Sequence, residues 1–216
     1  MSRAPFSTLH SFLMFISFEG IDGCGKTTQL QLLAKRLEAA RHIICLTREP
    51  GGTSLAEAIR DYLLHSPDKL EPQAELLLFG ASRAAHVSQV IRPALERGEV
   101  VLTDRFADSS VAYQGGGLKL DADFIRAMNG FATTWLHPDV TFLLDIEPDA
   151  AQARRASEKE DRIEARGLEF QTQVREAYLE IARLDPARVV VLDARQSVEA
   201  LHVHIIGVLE ERGQRL

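Results

Sequence analysis

The chain has 216 residues, of which 45% are apolar and 26% charged, the balance of a soluble globular protein with a single domain. Its formal net charge of -6 gives no general attraction for nucleic acid or anionic lipid, so we expect no partner of either kind. No stretch of about 20 apolar residues could span a membrane, and the two cysteines lack metal-binding or CxxC spacing, which indicates a cytoplasmic protein.

The first 13 residues show no helix cap, no periodic pattern and no targeting signal. We expect residues 1–13 to be a dispensable extension. A single domain over residues 14–216 then begins at the first predicted strand.

Five short apolar runs alternate with longer segments of helical period. The runs are residues 14–18, 43–47, 100–103, 140–145 and 189–193, and continuous runs of this kind are typical of parallel strands that are buried on both faces. The alternation predicts an α/β fold with a doubly wound, five-stranded parallel sheet, in which ligands bind beyond the carboxyl ends of the strands. Apolar residues at helical spacing mark three of the helices: Leu30, Leu33 and Leu37; Phe170, Val174, Tyr178 and Ile181; Val198, Leu201, Ile205 and Val208.

A glycine-rich loop that matches G-x-x-x-x-G-K-[ST] follows the first predicted strand. Its glycines let backbone N–H groups point at phosphate oxygens, Lys26 places a charge on the β- and γ-phosphates, and the Thr27 hydroxyl can bind Mg²⁺. In this strand–loop–helix context the motif predicts a P-loop NTPase-type fold rather than a glycine-rich turn that binds nothing. The predicted phosphate-binding residues are Gly20, Ile21, Asp22, Gly23, Cys24, Gly25, Lys26, Thr27 and Thr28.

Arginines occur where the next strands end. Arg48 follows the second predicted strand, Arg105 follows the third, and Arg83 comes after the apolar run at residues 76–81. Guanidinium groups bind phosphate in bidentate fashion, so the three together could neutralise an acceptor phosphate. The alternative for each is a structural pair with a carboxylate such as Glu49, Asp104 or Glu75.

Two aspartates are candidates to hold a metal-bound water beside Thr27. Asp104 ends the third predicted strand, and Asp145 ends the fourth. We favour Asp104 because Arg105 is its neighbour in the chain.

Several blocks of the sequence resemble bacterial thymidylate kinases. They are FEGIDG at 18–23, TREPGGT at 47–53, DRF at 104–106, SS at 109–110, AYQGGG at 112–117 and DRIE at 161–164. The resemblance covers roughly residue 14 to the C-terminus. It implies a nucleoside monophosphate kinase that transfers the ATP γ-phosphoryl to dTMP with Mg²⁺ and forms a homodimer. The alternatives are a kinase of another nucleotide or deoxynucleoside, and a non-catalytic P-loop switch.

The resemblance also implies roles in the acceptor site. Asp22 would bond the deoxyribose 3′-hydroxyl or organise the metal, and Arg48, Arg83 and Arg105 would hold the acceptor phosphate. Phe79 would stack on thymine, Ser110 would meet the base edge, and Tyr113 would pack under the sugar and disfavour a 2′-hydroxyl. Pro50 and Gln114 lie in matching blocks and complete the predicted acceptor site. The alternatives are that Phe79 is a core residue and Tyr113 only a packing aromatic.

The charged stretch at about residues 150–166 corresponds to the basic lid of such kinases. The P-loop has Gly23 and Cys24 where eukaryotic relatives carry an arginine, so a lid arginine would supply the missing cation. Which lid residue does so stays open, because Ser157 replaces an arginine of some relatives. The candidate catalytic residues are Lys26, Arg105, Arg154, Arg155 and Asp22.

Without the resemblance, the spacing of the lid cations predicts one helical face, with a solvated, salt-bridged helix as the alternative. These cations are Arg155, Lys159, Arg162 and Arg166.

Cys24 lies at a helix N-terminus near a cation, where a thiol pKa is lowered. We therefore weigh a nucleotide-protected, reactive thiol against a small, buried, inert residue. Cys45 is expected to be inert within a buried strand.

Overall fold

The computed structural model of the chain describes residues 14–155 and 161–214. The predicted dispensable extension at residues 1–13 lies outside the described residues, as do Lys159 and the central part of the predicted lid. Among the helices that are described, none has both the length and the apolar character that crossing a membrane requires.

All five predicted strands are confirmed to within one residue at each end. They are β1 (Phe15–Glu19), β2 (Ile44–Arg48), β3 (Val100–Asp104), β4 (Val140–Asp145) and β5 (Val189–Asp193). The α-helices of the described residues are α1 (Lys26–Ala39), α2 (Ser54–His65), α3 (Pro72–His86), α4 (Arg92–Glu96), α5 (Ala107–Ser110), α6 (Ala122–Thr133), α7 (Pro148–Arg154), α8 (Gly167–Leu184) and α9 (Val198–Glu211). Two π-helical segments, Val87–Ile91 and Val111–Gly117, follow α3 and α5, and a 3-10 turn, Glu164–Arg166, precedes α8.

The strands form one parallel sheet in the order β2-β3-β1-β4-β5, which confirms the predicted α/β fold of P-loop type. The strand register aligns Asp104 with Phe18 on one side and with Arg48 on the other. The carboxyl ends of β2, β3 and β1 therefore meet at one edge of the sheet, and the P-loop begins there.

The two faces of β1 enter different parts of the core, because successive side chains of a strand point to opposite sides. Ile16 and Phe18 join the larger apolar cluster, which includes residues of α1, α8 and α9. Phe15 joins a smaller cluster with Val87 and Val101. The sheet is thus covered by helices on both faces. This packing fixes the carboxyl edge of the sheet, where the P-loop and the loops after β2 and β3 begin.

The predicted burial of every strand on both faces is wrong for the two edge strands. Leu46 on β2 is 50% exposed and Val191 on β5 is 43% exposed, because neither strand has a neighbour on its outer side in the described structure. Cys45 is for the same reason half-buried rather than buried. Val198 is also exposed, since it lies in the first turn of α9.

Candidate active site

Two adjoining cavities open at the carboxyl edge of the sheet. The larger, of about 1000 Å³, lies between the P-loop, the end of α7 and residues 194–201. The smaller, of about 100 Å³, lies between α2, α3 and the π-helical segment at 111–117. Among the described residues, both cavities are lined by Asp22, Glu49, Arg60 and Arg105. A molecule bound in one cavity would therefore meet a molecule bound in the other at these residues.

The P-loop has a backbone that only glycine adopts easily. Gly23 and Gly25 have φ of 83° and 100°. A β-carbon at Gly23 would collide with the carbonyl oxygen of Ala151. Gly25 is the N-cap of α1 and provides no side-chain hydrogen bond. The N–H groups of the first turn can therefore donate to an anion. This cradle fits the phosphates of a nucleotide.

Lys26 lies over the P-loop and lines the larger cavity. Its Nζ donates to the carbonyl oxygens of Gly20 and Ile21 at 3.2 and 3.0 Å and is 4.0 Å from Asp22. The ammonium group is thus held where it could meet a phosphate, with its charge partly balanced by one carboxylate.

Thr27 and Asp104 are brought together at the floor of the larger cavity. The Thr27 hydroxyl donates to Oδ2 of Asp104 at 2.6 Å. The rival aspartate, Asp145, is instead bound by Arg175 at 2.6 and 3.0 Å and does not line this cavity among the described residues. One hydroxyl and one carboxylate oxygen at this distance are ligands that fit Mg²⁺, which usually keeps several waters and phosphate oxygens as its other ligands.

Arg105 is the centre of the group that separates the two cavities. It has φ of 72°, a left-handed conformation that is uncommon for arginine. Its Nη2 lies 2.5 Å from Asp22 and 3.1 Å from the Tyr113 hydroxyl, and its Nη1 donates to the carbonyl oxygen of Gly20 at 2.9 Å. The Tyr113 hydroxyl also donates to Oδ2 of Asp22, at 3.0 Å. The aspartate, arginine and tyrosine therefore form one closed cluster.

Charge and burial together set the protonation states within this cluster. Burial would raise the pKa of Asp22, but the positive charges of Arg105 and Lys26 outweigh it and hold that pKa well below its ordinary value. Burial and the negative charge of Asp22 raise the pKa of Tyr113 well above its ordinary value, although Arg105 opposes them. Asp22 is thus a carboxylate acceptor and Tyr113 a neutral donor.

Glu19 supports the cluster from the interior. It accepts from the backbone N–H of Phe106 and from the hydroxyls of Ser109 and Tyr178, each at 2.7 Å. Burial, together with the charge of Asp108, raises the pKa of Glu19 to about 7, although Arg105 opposes this shift. The carboxyl group fixes the backbone just after Arg105 and therefore the direction of the arginine side chain.

The structure gathers most of the predicted acceptor residues around the smaller cavity. Arg48 lies apart from them on the wall of the larger cavity, where it pairs with Glu57 at 2.9 Å and is half exposed. The alternative of Phe79 as a purely internal residue is not supported, because the ring is partly buried and also faces the cavity. The predicted residues that line the smaller cavity are Asp22, Pro50, Phe79, Arg105, Ser110, Tyr113 and Gln114.

The prediction that Arg83 holds the acceptor phosphate is not supported by the geometry of this structure. Its side chain is 1% exposed and lines neither cavity among the described residues. It donates to Glu49 at 2.7 Å, to Ser110 at 3.0 Å, to Asn129 at 2.6 Å and to the Phe106 carbonyl oxygen at 3.1 Å. A buried guanidinium needs such partners, so in this structure Arg83 orients Glu49 and Ser110.

The predicted single helical face of lid cations is also wrong. α7 ends at Arg154, and the chain that resumes at residue 161 forms turns up to α8. Arg155 pairs with Glu164 at 2.6 Å, whereas Arg162 and Arg166 both bind Glu75. Arg154 and Arg155 nevertheless line the larger cavity.

For Cys24, burial favours the inert residue over the reactive thiol. This residue is fully buried, and burial raises its pKa, although Lys26 and Arg105 oppose this effect. The alternative of a small buried residue is the one that the structure supports.

Sequence reasoning missed Arg60, which lines both cavities. It lies on α2 and donates to the carbonyl oxygen of Pro50 at 3.0 Å. The loop before α9 was also missed, although Ser197 is an N-cap residue that the sequence could have revealed. The missed residues that line the larger cavity there are Ala194, Gln196, Ser197, Val198 and Leu201, and those of the smaller cavity include Leu64, Asp161 and Ile163.

Comparison with known proteins connects this site to one family. Residues 18–205 match the family described as thymidylate kinase. The chain is 50% identical over 202 residues to the thymidylate kinase of Bifidobacterium longum, covering 92% of this chain and 98% of that protein. It is 48% identical over 205 residues to that of an Exiguobacterium species, covering 94% and 96%. The crystal structure of thymidylate kinase from Ehrlichia chaffeensis superposes with a TM-score of 0.74 at 37% identity, covering 91% of this chain and 98% of that one.

Proposed function

The chain belongs to the thymidylate kinase family and is an ATP-dependent phosphotransferase that converts dTMP into dTDP; we propose that the larger cavity binds ATP and the smaller one dTMP. The observation that carries this assignment is the boundary between the cavities, which Asp22 and Arg105 share. Two phosphates that approach from opposite sides would meet there, as an in-line transfer requires.

On the donor side, the P-loop N–H groups and Lys26 would hold the β- and γ-phosphates. The wall at residues 194–201 would contact the nucleoside. Its position is stabilised by Arg154, whose Nη2 donates to the carbonyl oxygen of Ala194 at 2.9 Å. Thr27 and Asp104 would hold Mg²⁺, and no group of three or more His, Cys, Asp or Glu side chains in the described residues offers a metal site of another type. When bound, Mg²⁺ supplies positive charge to the phosphate oxygens and orients them.

On the acceptor side, Arg105 and Arg60, which line both cavities, would supply the charge that balances the dTMP phosphate, and Arg48 would add to it from the wall of the larger cavity. Arg105 is the best placed of these, because it lies at the boundary and its direction is set by Asp22 and the Gly20 carbonyl oxygen. Phe79 and Tyr113 would enclose the base and the sugar. The Tyr113 hydroxyl is occupied by Asp22 and Arg105, which holds the ring rigidly beside the cavity.

The transfer needs little proton chemistry, because the attacking group is itself a phosphate oxygen. The chain's task is to place two phosphates in line, neutralise their charge and exclude water. Among the lid candidates, we assign the cation at the transferring group to Arg155. Its side-chain carbons lie beside Gly23 of the P-loop, and its Nε has no hydrogen-bond partner within the described part of the chain.

An assay of ATP consumption with several acceptors tests this function. We expect consumption that depends on dTMP and exceeds that with dUMP, dCMP, dGMP or thymidine. Faster turnover of another acceptor would favour the alternative of a different nucleotide or nucleoside kinase. Nucleotide binding without turnover of any acceptor would favour a P-loop switch.

We also propose a cytoplasmic homodimer, as the resemblance implies. Phe124 and Phe131 share one face of α6 at a spacing of seven residues and are 56% and 85% exposed, and Trp135 after the helix is 69% exposed. A pair of symmetric copies could bury these rings. Light scattering during size-exclusion chromatography would distinguish a dimer of about twice the 24.0 kDa chain mass from a monomer.

A further inference from the structure

A buried carboxylate, Glu75 on α3, receives hydrogen bonds from two separate parts of the chain. Its side chain is 0% exposed. Its oxygens accept from Arg162 at 2.8 Å, from Arg166 at 2.5 and 3.1 Å, and from the Gln114 amide at 3.1 Å. Arg162 and Arg166 belong to residues 161–166, here called the return segment, and Gln114 belongs to the π-helical segment at 111–117.

A carboxylate suits this position better than any neutral side chain. It has about four acceptor sites and no donor, so that three donor side chains can converge on it. Burial would raise the pKa of Glu75, but the hydrogen bond and charge of Arg166, together with Gln114 and Arg162, lower it. The group is therefore ionised, and it compensates two guanidinium charges that would otherwise repel each other.

Glu75 holds one wall of the smaller cavity directly and another through neighbours in the chain. Gln114 lines that cavity directly, and Ile163 of the return segment lines it next to Arg162. Arg162 also donates from Nε to the carbonyl oxygen of Leu63 at 2.8 Å, which fixes the return segment against the end of α2. Phe79 follows Glu75 by one helical turn on the same side of α3.

We propose that Glu75 is a positioning residue that sets the affinity of the smaller cavity for the acceptor nucleotide. It does not line the cavity among the described residues, and it acts through Gln114 and the return segment. The inference rests on the proposed function in one respect, namely that dTMP is the occupant of this cavity.

The substitution Glu75→Gln removes the charge with little change of volume. The new amide would present N–H donors to two guanidinium groups, so Arg162, Arg166 and Gln114 would separate and the walls would shift. Leaving buried polar groups without partners costs enough to weaken dTMP binding at least ~10-fold. ATP binding should weaken less than dTMP binding, because none of the three donor side chains lines the larger cavity among the described residues and Glu164 is the one residue of the return segment that does.

The measurement is titration calorimetry of the full chain with dTMP alone and with ATP alone. Steady-state kinetics should then show that KM for dTMP rises more than kcat falls. In the double variant Glu75→Gln with Gln114→Ala, the loss of dTMP affinity should be smaller than the sum of the two single losses, since Glu75 acts partly through Gln114.

A control is Asp185→Asn. Asp185 also binds a guanidinium, that of Arg188, at 2.7 Å, and neither residue lines a cavity in the part of the chain that the structure describes. This variant should lose stability but keep its dTMP affinity. A merely structural role for Glu75 would make the two variants behave alike.

Unchanged dTMP affinity in Glu75→Gln, or equal weakening of dTMP and ATP binding, would overturn the proposal. If that variant does not fold, Arg162→Met is used instead, because it leaves Arg166 and Gln114 bound to the carboxylate. Unchanged dTMP affinity in this variant, or equal weakening of dTMP and ATP binding, would again overturn the proposal. A wild-type chain that fails to bind dTMP would refute the proposed function itself. If the wild type binds dTMP and Glu75→Gln binds it equally tightly, only the role of Glu75 is refuted.

Discussion

Nη2 of Arg105 lies 2.5 Å from Oδ1 of Asp22, and this ion pair stands at the boundary of the two cavities. The pair joins the P-loop to the end of β3, so the donor and acceptor sides of the site share one rigid element. A dTMP phosphate that approaches Arg105 meets a guanidinium whose direction is already fixed, which reduces the entropy that binding must offset.

Arg105→Ala should therefore weaken dTMP binding by at least ~10-fold, the effect of losing a charge-assisted hydrogen bond. ATP binding should change much less, because the P-loop keeps its own donors. Calorimetry with each substrate separately measures the difference. Arg126→Ala, which removes an exposed arginine of α6, is the control, and equal losses for the two substrates would argue against the assigned role.

Lys26→Met should lower turnover by at least ~10²-fold, the usual effect of removing one electrostatic donor from a transition state. Lys26 is 6% exposed, and its Nζ is held against the carbonyl oxygens of the P-loop, so the substitution removes a charge of fixed position. Lys35→Met, on the exposed side of the same helix, should leave turnover unchanged. Near-normal turnover of Lys26→Met would be incompatible with the P-loop assignment.

The two lid arginines should behave differently. Arg155→Met should lower kcat more than it changes dTMP affinity, because its charge acts on the transferring group. Arg154→Met should mainly raise KM for ATP, because this arginine supports the Ala194 carbonyl oxygen in the wall of the larger cavity. Steady-state kinetics of both single variants and of the double variant test this. Unchanged kcat in the double variant would show that Arg154 and Arg155 only stabilise the fold.

Gly116 should not tolerate a methyl group. A β-carbon there would collide with Cβ of Ala177 on α8, so Gly116→Ala should lower the unfolding free energy by about 1–3 kcal/mol. It should also weaken dTMP binding, because Tyr113 and Gln114 belong to the same π-helical segment as Gly116. Gly207→Ala is the matched control: nothing lies within 4 Å of its β-carbon position in α9. That variant should gain about 0.5–1 kcal/mol of stability. Urea unfolding and dTMP titration of both variants would show whether the contact is as close as described.

Glu19 should make stability depend on pH. Its pKa is raised from 4.5 to about 7 in the folded state, so the folded chain holds this proton more tightly than the unfolded chain does. The resulting stabilisation is fully present below pH 4.5 and is lost as the pH rises through 7. Between pH 5 and pH 8, the unfolding free energy of the wild type should therefore fall more than that of Glu19→Gln, by on the order of 2–3 kcal/mol. Parallel pH profiles of the two proteins in urea unfolding would contradict the raised pKa.

The amino-acid sequence by itself determined the five strands, the P-loop and the edge of the sheet where the ligands bind. These features depend on local patterns: continuous apolar runs for buried strands, and glycines with a lysine and a threonine at fixed spacing. Asp104 could be preferred over Asp145, and the structure places it 2.6 Å from Thr27. The family, and with it the reaction, also followed from blocks of sequence.

Only the tertiary structure decided which charged side chains face a cavity and which face each other. Arg83 and Arg105 have the same chemistry in the sequence, yet Arg83 is enclosed by Glu49 and Asn129, whereas Arg105 stands between two cavities. Glu75 is far in the sequence from Arg162 and Arg166, and no local pattern connects them. An ion pair depends on the distance between two side chains in space, and the packing of the helices sets that distance. The number of residues between two helices along the chain does not say which of their side chains will meet.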